Sequence, residues 1–159
     1  MAPLMPSATT RSRSRSAARL AAVQALYQRE MERTPVPQLL HEFHHHRLGA
    51  TIEGVEYEDA EVDFFDDVVA GVDARSDELD ALIAAKLAGG WSLSRLDRPM
   101  RQILRAGAYE LVARIDVSTG TIISEYVDVA KAFYDKKEAA FVNGLLDAVA
   151  KDVRRQAPG

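Results

Sequence analysis

Cysteine is absent from all 159 residues, which rules out disulfides and thiolate chemistry and suits a cytoplasmic protein. No apolar run approaches the roughly 20 residues that a membrane span requires. A secretory core is missing too, because Arg11 to Arg19 interrupt the N-terminus before any hydrophobic block. Glycine is scarce, at 9 residues, and β-branched residues seldom alternate with polar ones, so the composition argues for helices rather than a sheet. Acidic residues are absent from the first 29 positions, which hold Arg11, Arg13, Arg15, Arg19 and Arg29, although the whole chain carries a net charge of -4.

That segregation makes a cationic arm on an acidic body. Such an arm either finds a polyanion and releases its counterions, or is simply a solvated tail. It also has the Arg/Ser-rich, acid-free look of an organellar transit peptide, but the amphipathic helix after it belongs to the fold.

Residues 1–14, with Pro3 and Pro6, read as a flexible basic arm, residues 15–153 as one domain, and residues 154–159 as a short basic tail. Leu20, Val23, Tyr27 and Met31 share a face of a helix predicted over Arg15–Met31, which Thr34-Pro35 ends. A second helix is expected over Pro37–Leu48, stopped by Gly49, and then a loop across Thr51–Tyr57. Val62, Phe65, Val69 and Val72 mark a third helix over Asp59–Asp73. Ser76 is the expected cap of a fourth helix, which Gly89-Gly90 stops. Asp97 and Pro99 open a fifth reaching about Ile115, in which Gly107 permits close helix packing. Thr121–Phe133 forms a sixth, and Asp135 with Glu138 starts a seventh to Val153. The expectation is an all-α, compact bundle of seven helices without a sheet.

Three features invite a functional reading. His41-Glu42-Phe43-His44-His45 fits H-E-x-x-H, which on a helix sets two imidazoles one turn apart for zinc with Glu42 as general base. The run lacks a third ligand beyond His46 and lacks the sheet that builds a protease cleft, so no metal, cofactor or catalytic residue is assigned. Between Glu53 and Asp80 stand twelve acids against one base, Arg75, a face that a basic partner would complement. An exposed Leu/Val stripe on the first helix would allow a homodimer that covers the arm.

Three blocks in register are more specific. Arg19 precedes Ala22-Val23-Gln24-Ala25-Leu26-Tyr27. Trp91-Ser-Leu-Ser-Arg-Leu precedes Ile103-Leu-Arg-Ala-Gly-Ala-Tyr-Glu-Leu111. Ile123-Ser-Glu-Tyr-Val-Asp-Val-Ala-Lys131 precedes Phe133 and Phe141-Val-Asn-Gly-Leu-Leu-Asp147. In this order, over Arg15 to Val153, the chain resembles the NusB family of bacterial transcription antitermination factors.

The resemblance implies two packed three-helix subdomains and no catalytic activity. It implies binding of boxA RNA in ribosomal RNA leaders together with ribosomal protein NusE, within an antitermination complex on RNA polymerase. Carried over residue by residue, it implies an RNA surface of Arg11, Arg13, Arg15, Arg19, Tyr27, Phe133 and Phe141. Lys136 and Lys137 add positive charge in the turn between the two phenylalanines. Met100 and Arg101 are the partner-contact candidates, although Met100 stands where the family more often has a glutamate. Tyr134 replaces a usual glycine, Ala140 a frequent basic residue, and Ser124 a usual asparagine. A related helical module precedes some ribosomal RNA cytosine methyltransferases, but no cofactor-binding sheet follows within this chain.

Overall fold

The computed structural model describes residues 8–46, 51–52, 55–56 and 61–154. Helix α1 (Ala8–Glu32) starts before Arg15, so Arg11 and Arg13, assigned to a flexible arm, lie on the helix. Residues 1–7 of that arm, and residues 155–159 of the tail, fall outside the described residues. Ala18, Ala21, Ala22 and Ala25 are fully buried, and their small side chains let α1 lie close against its neighbours. The helix ends at Arg33, whose left-handed φ of 57° turns the chain while its N–H reaches the Arg29 carbonyl.

Helix α2 (Val36–His46) buries Leu39 and Phe43, and Phe43 stacks on Phe65 with ring centroids 5.4 Å apart. The expected stop at Gly49 lies outside the described residues. The stretch expected to be a loop contains two short strands, β1 (Thr51–Ile52) and β2 (Val55–Glu56). They pair antiparallel, so each supplies the partner that an isolated strand would lack. Helix α3 (Val62–Ala74) buries Phe64, Phe65, Val68, Val69 and Val72, whereas Val62 sits exposed in its first turn. Helix α4 (Ser76–Ala84) has Arg75, not Ser76, in the cap position, and it ends short of Leu87.

After Gly90, whose φ of 87° favours glycine, a 3-10 turn (Leu93–Arg95) leads into α5 (Arg98–Ala113). Ser118 rather than Thr121 opens α6 (Thr119–Phe133): its Oγ accepts the Thr121 N–H at 3.2 Å. Helix α7 (Lys136–Val153) follows Asp135, which occupies the cap position without a side-chain cap bond.

The fold is all-α apart from the short hairpin. Helices α1, α2 and α3 pack on one another, as do α5, α6 and α7, while α4 leans on both groups; α1 and α3 meet α5 along the seam. Gly107 sits where α5 crosses α7, and a Cβ there would meet Leu146 at 2.7 Å and the Tyr126 ring at 3.4 Å. The absence of a side chain therefore permits the close packing that its mid-helix position suggests. Among the described residues no helix is long and apolar enough to cross a membrane.

Arg154, counted with the basic tail, is a fastener instead. Its Nε donates to the Leu111 carbonyl (2.8 Å), Nη1 to Val117 (2.6 Å), and Nη2 to Glu110 (3.1 Å) and Arg114 (2.7 Å). It thus gathers carbonyls from the end of α5 and the loop after it, where the helix dipole favours a cation. Arg154→Ala should lower the unfolding free energy by about 1.5–3 kcal/mol, the scale of hydrogen bonds from a charged donor, read by urea denaturation.

Two tyrosines give the fold an alkaline limit. Burial pushes the Tyr109 hydroxyl up to about 12, helped by its 2.7 Å bond to Asp67, and burial holds the Tyr126 hydroxyl well above its usual value. A raised folded-state pKa stabilises fully below the unfolded value of 10.0 and is lost as pH rises above it. The urea midpoint should therefore fall above about pH 10, and Tyr109→Phe should flatten that fall.

Candidate nucleic-acid interface

The arginines of α1 divide into different roles. Arg11 lies in the helix, with its side chain outside the described residues. Arg13 is exposed and makes no ion pair with a described residue. Arg15 is half-buried: its Nε donates to Glu61 at 3.1 Å, Asp116 lies 3.9 Å from its Nη1, and its guanidinium sits 4.8 Å from the Phe64 ring centroid.

Arg19 corrects the sequence reading. It is 2% exposed, and its Nε and Nη2 donate to the two carboxylate oxygens of fully buried Glu110 at 2.8 and 3.0 Å. Glu125 lies 3.5 Å from Nη1, and the Tyr126 hydroxyl donates to the same Glu110 carboxylate. This guanidinium is consumed by the core and cannot reach a phosphate.

The aromatic candidates gather better than the cations. Tyr27 is 36% exposed and borders a groove with Leu96, Asp97, Arg98 and Pro99. Across that groove the Tyr134 hydroxyl donates to Asp97 at 2.7 Å, tying the turn between α6 and α7 to the start of α5. Phe133 packs partly on the core beside Tyr134, with ring centroids 6.3 Å apart. Lys136 and Lys137 stand exposed in the first turn of α7, where the helix dipole also favours anions. Phe141, four residues after Lys137 and so on the same face, is 38% exposed. Arg13 lies on the same face of α1 as Tyr27, because the fourteen residues separating them make close to four turns, roughly 21 Å back along the helix.

The partner candidates fare differently. Met100 is buried, and Arg101 is held by Glu30 and by the Leu93 and Ser94 carbonyls, so neither offers a free head group. Arg98, which the sequence reading missed, is more exposed at this corner, with Glu30 3.9 Å from its Nε and its Nη1 on the Met31 sulfur. Tyr134 was visible only as a departure from the family pattern.

Several acids in the described part of the acidic face meet basic side chains of the chain itself. Asp66 meets His44, Asp67 meets Arg114, Asp73 meets Arg29, Glu78 meets Arg75 and Asp80 meets Arg105. The Leu/Val stripe of α1 is spent, since Val23 and Leu26 are buried in the chain's own core. His41 and His45 stand one turn apart on α2, but no third ligand joins them among the described residues.

An arginine-led first helix pinned to a buried glutamate, and exposed rings around a lysine turn, sit on one all-α scaffold. The NusB family matches residues 16–151 of this sequence. The chain belongs to the NusB family. Transcription antitermination protein NusB of Sphingopyxis alaskensis is 68% identical over 146 residues, which span 92% of this chain and 98% of that protein. The protein of the same name from Novosphingobium aromaticivorans is 71% identical over 142 residues, 89% of this chain and 96% of its own. Among solved structures, T. maritima NusB superposes with a TM-score of 0.71 at 30% identity, over 91% of this chain and 93% of that one. The NusB fold also superposes with a TM-score of 0.72 at 27% identity on a crystal structure of antitermination factors NusB and NusE in complex with dsRNA, covering 88% of this chain and 98% of that one. The NusB match begins at residue 16, so Arg11, Arg13 and Arg15 lie just ahead of it.

Proposed function

We propose that this protein is a non-catalytic, cytoplasmic RNA-binding antitermination factor that grips boxA RNA of ribosomal RNA leaders together with NusE, on transcribing RNA polymerase. Family membership supports the antitermination role, and the solved NusB–NusE–RNA assembly supports the pairing of RNA with NusE. The observation that carries the RNA reading is the Tyr134–Asp97 bond. It ties the turn between Phe133 and Phe141 to Asp97, which lines the groove with Tyr27 and Arg98, and this supports a surface that offers both stacking faces and cations. Unpaired bases stack on such rings while cations hold phosphates, and every base offers a face, so this arrangement suits a single strand.

Fluorescence anisotropy with boxA RNA, with and without NusE, tests the reading. NusE should tighten binding, boxA should be preferred over a scrambled strand, and affinity should fall with salt. Replacing Arg13 and Arg15 by alanine should reduce the salt slope by about 0.7 per lost phosphate contact. Glu61 and Asp116 compete with phosphate for Arg15, so Glu61→Gln with Asp116→Asn should tighten binding by up to about fivefold, the scale of an exposed ion pair. An unchanged salt slope in the arginine variant would remove α1's start from the interface. Indifference to both boxA and NusE would sink the function.

A further inference from the structure

The H-E-x-x-H run is not absorbed by RNA binding, and its geometry separates its histidines. His41 and His45 are both exposed, and their ring centroids lie 4.2 Å apart with planes inclined by 46°. Histidines four residues apart share one face of a helix, the placement with which two imidazoles hold a single ion at metal–nitrogen distances of about 2.0–2.1 Å. Each imidazole has two nitrogens, and the ion needs only one from each. His44 points elsewhere: its Nε2 is 2.6 Å from Asp66 Oδ1 on α3, and its ring meets Phe65 edge-on. Glu42 is likewise occupied, accepting bonds from Gln28 at 3.1 Å and Gln38 at 3.2 Å.

We propose that His41 and His45 form a surface chelate for a late first-row divalent ion, with Cu2+ bound more tightly than Ni2+ or Zn2+. Two neutral imidazoles are borderline-soft donors, and the affinity of nitrogen ligands climbs towards copper along the first row. Ca2+ and Mg2+, which demand oxygen ligands, are excluded. With no third protein ligand among the described residues, water completes the coordination. The ion thus braces the last turn of α2, a different task from the open three-ligand centre of a zinc hydrolase.

The test uses the untagged full chain, stripped with EDTA and titrated calorimetrically with Ni2+ and with Cu2+. Copper is also followed by its electron paramagnetic resonance spectrum. One ion per chain is expected, with a two-nitrogen copper signature. His41→Ala and His45→Ala should each weaken Ni2+ binding by at least about tenfold, because a chelate loses its intramolecular second contact. His44→Ala should leave it unchanged, as should added Mg2+. These side chains are on the surface, so the variants are checked for an unaltered helix signal by circular dichroism. Equal loss in His44→Ala, or no loss in either of the other two variants, overturns the chelate.

Discussion

Arg19→Ala is expected to cost about 3–5 kcal/mol of folding stability, the penalty for breaking a buried ion pair from one side. The substitution would strand Glu110, which is fully buried, with the Tyr126 hydroxyl as its remaining donor and Arg19's two hydrogen bonds gone. It would also remove the guanidinium 4.8 Å from the Phe64 ring centroid, opening a gap where α1, α3, α5 and α6 converge. Since a domain of this size holds only about 5–15 kcal/mol in all, the loss is a large share of its stability. Urea denaturation of Arg19→Ala measures it. Arg19→Met with Glu110→Leu should recover much of the loss, because an apolar pair leaves no uncompensated charge. If Arg19→Ala unfolds like the parent chain but loses RNA, Arg19 is a surface contact and the core assignment is wrong.

Arg19 also shows what the sequence could and could not disclose. The helical period was legible because buried positions recur at three and four residues, and it located all seven helices. Helix ends were legible only where the terminating chemistry is local, as at Asp97. Arg75 took the cap position that the pattern had assigned to Ser76, and α6 opened at Ser118, ahead of the expected start at Thr121. The partner of a charge is not local at all. Arg13, Arg15 and Arg19 look alike in an arginine run, yet one ends in solvent, one on Glu61, and one on a glutamate 91 residues away. For the same reason Arg154 resembled a tail residue while four carbonyls of α5 and its following loop waited for it. Several acids of the stretch, such as Asp67, Asp73 and Asp80, have their basic partners on or beside other helices, where the stretch alone does not show them. Aromatic exposure was partly legible: Phe141 follows a polar turn, and Tyr27 shares a stripe with buried Val23 yet stands at its edge.

Tyr27→Ala and Phe141→Ala should each weaken boxA RNA by about 1–3 kcal/mol, or roughly 5- to 150-fold, if bases stack on these rings. Both rings are more than a third exposed, so the same substitutions should lower the urea midpoint less than loss of a fully buried ring would. Phe133→Ala is the instructive contrast. That ring also packs against the core, so its loss should lower both stability and affinity, and Phe133→Leu should restore the first without the second. Tyr134→Phe keeps a ring but releases Asp97, and its effect on RNA should appear without loss of a stacking face. Combining Tyr27→Ala with Phe141→Ala distinguishes two geometries. If one strand stacks on both rings, the two losses add, as they do for independent sites. A double variant no weaker than the worse single one would mean that only one end of the surface touches RNA. The Tyr134–Asp97 bond would then serve the fold alone.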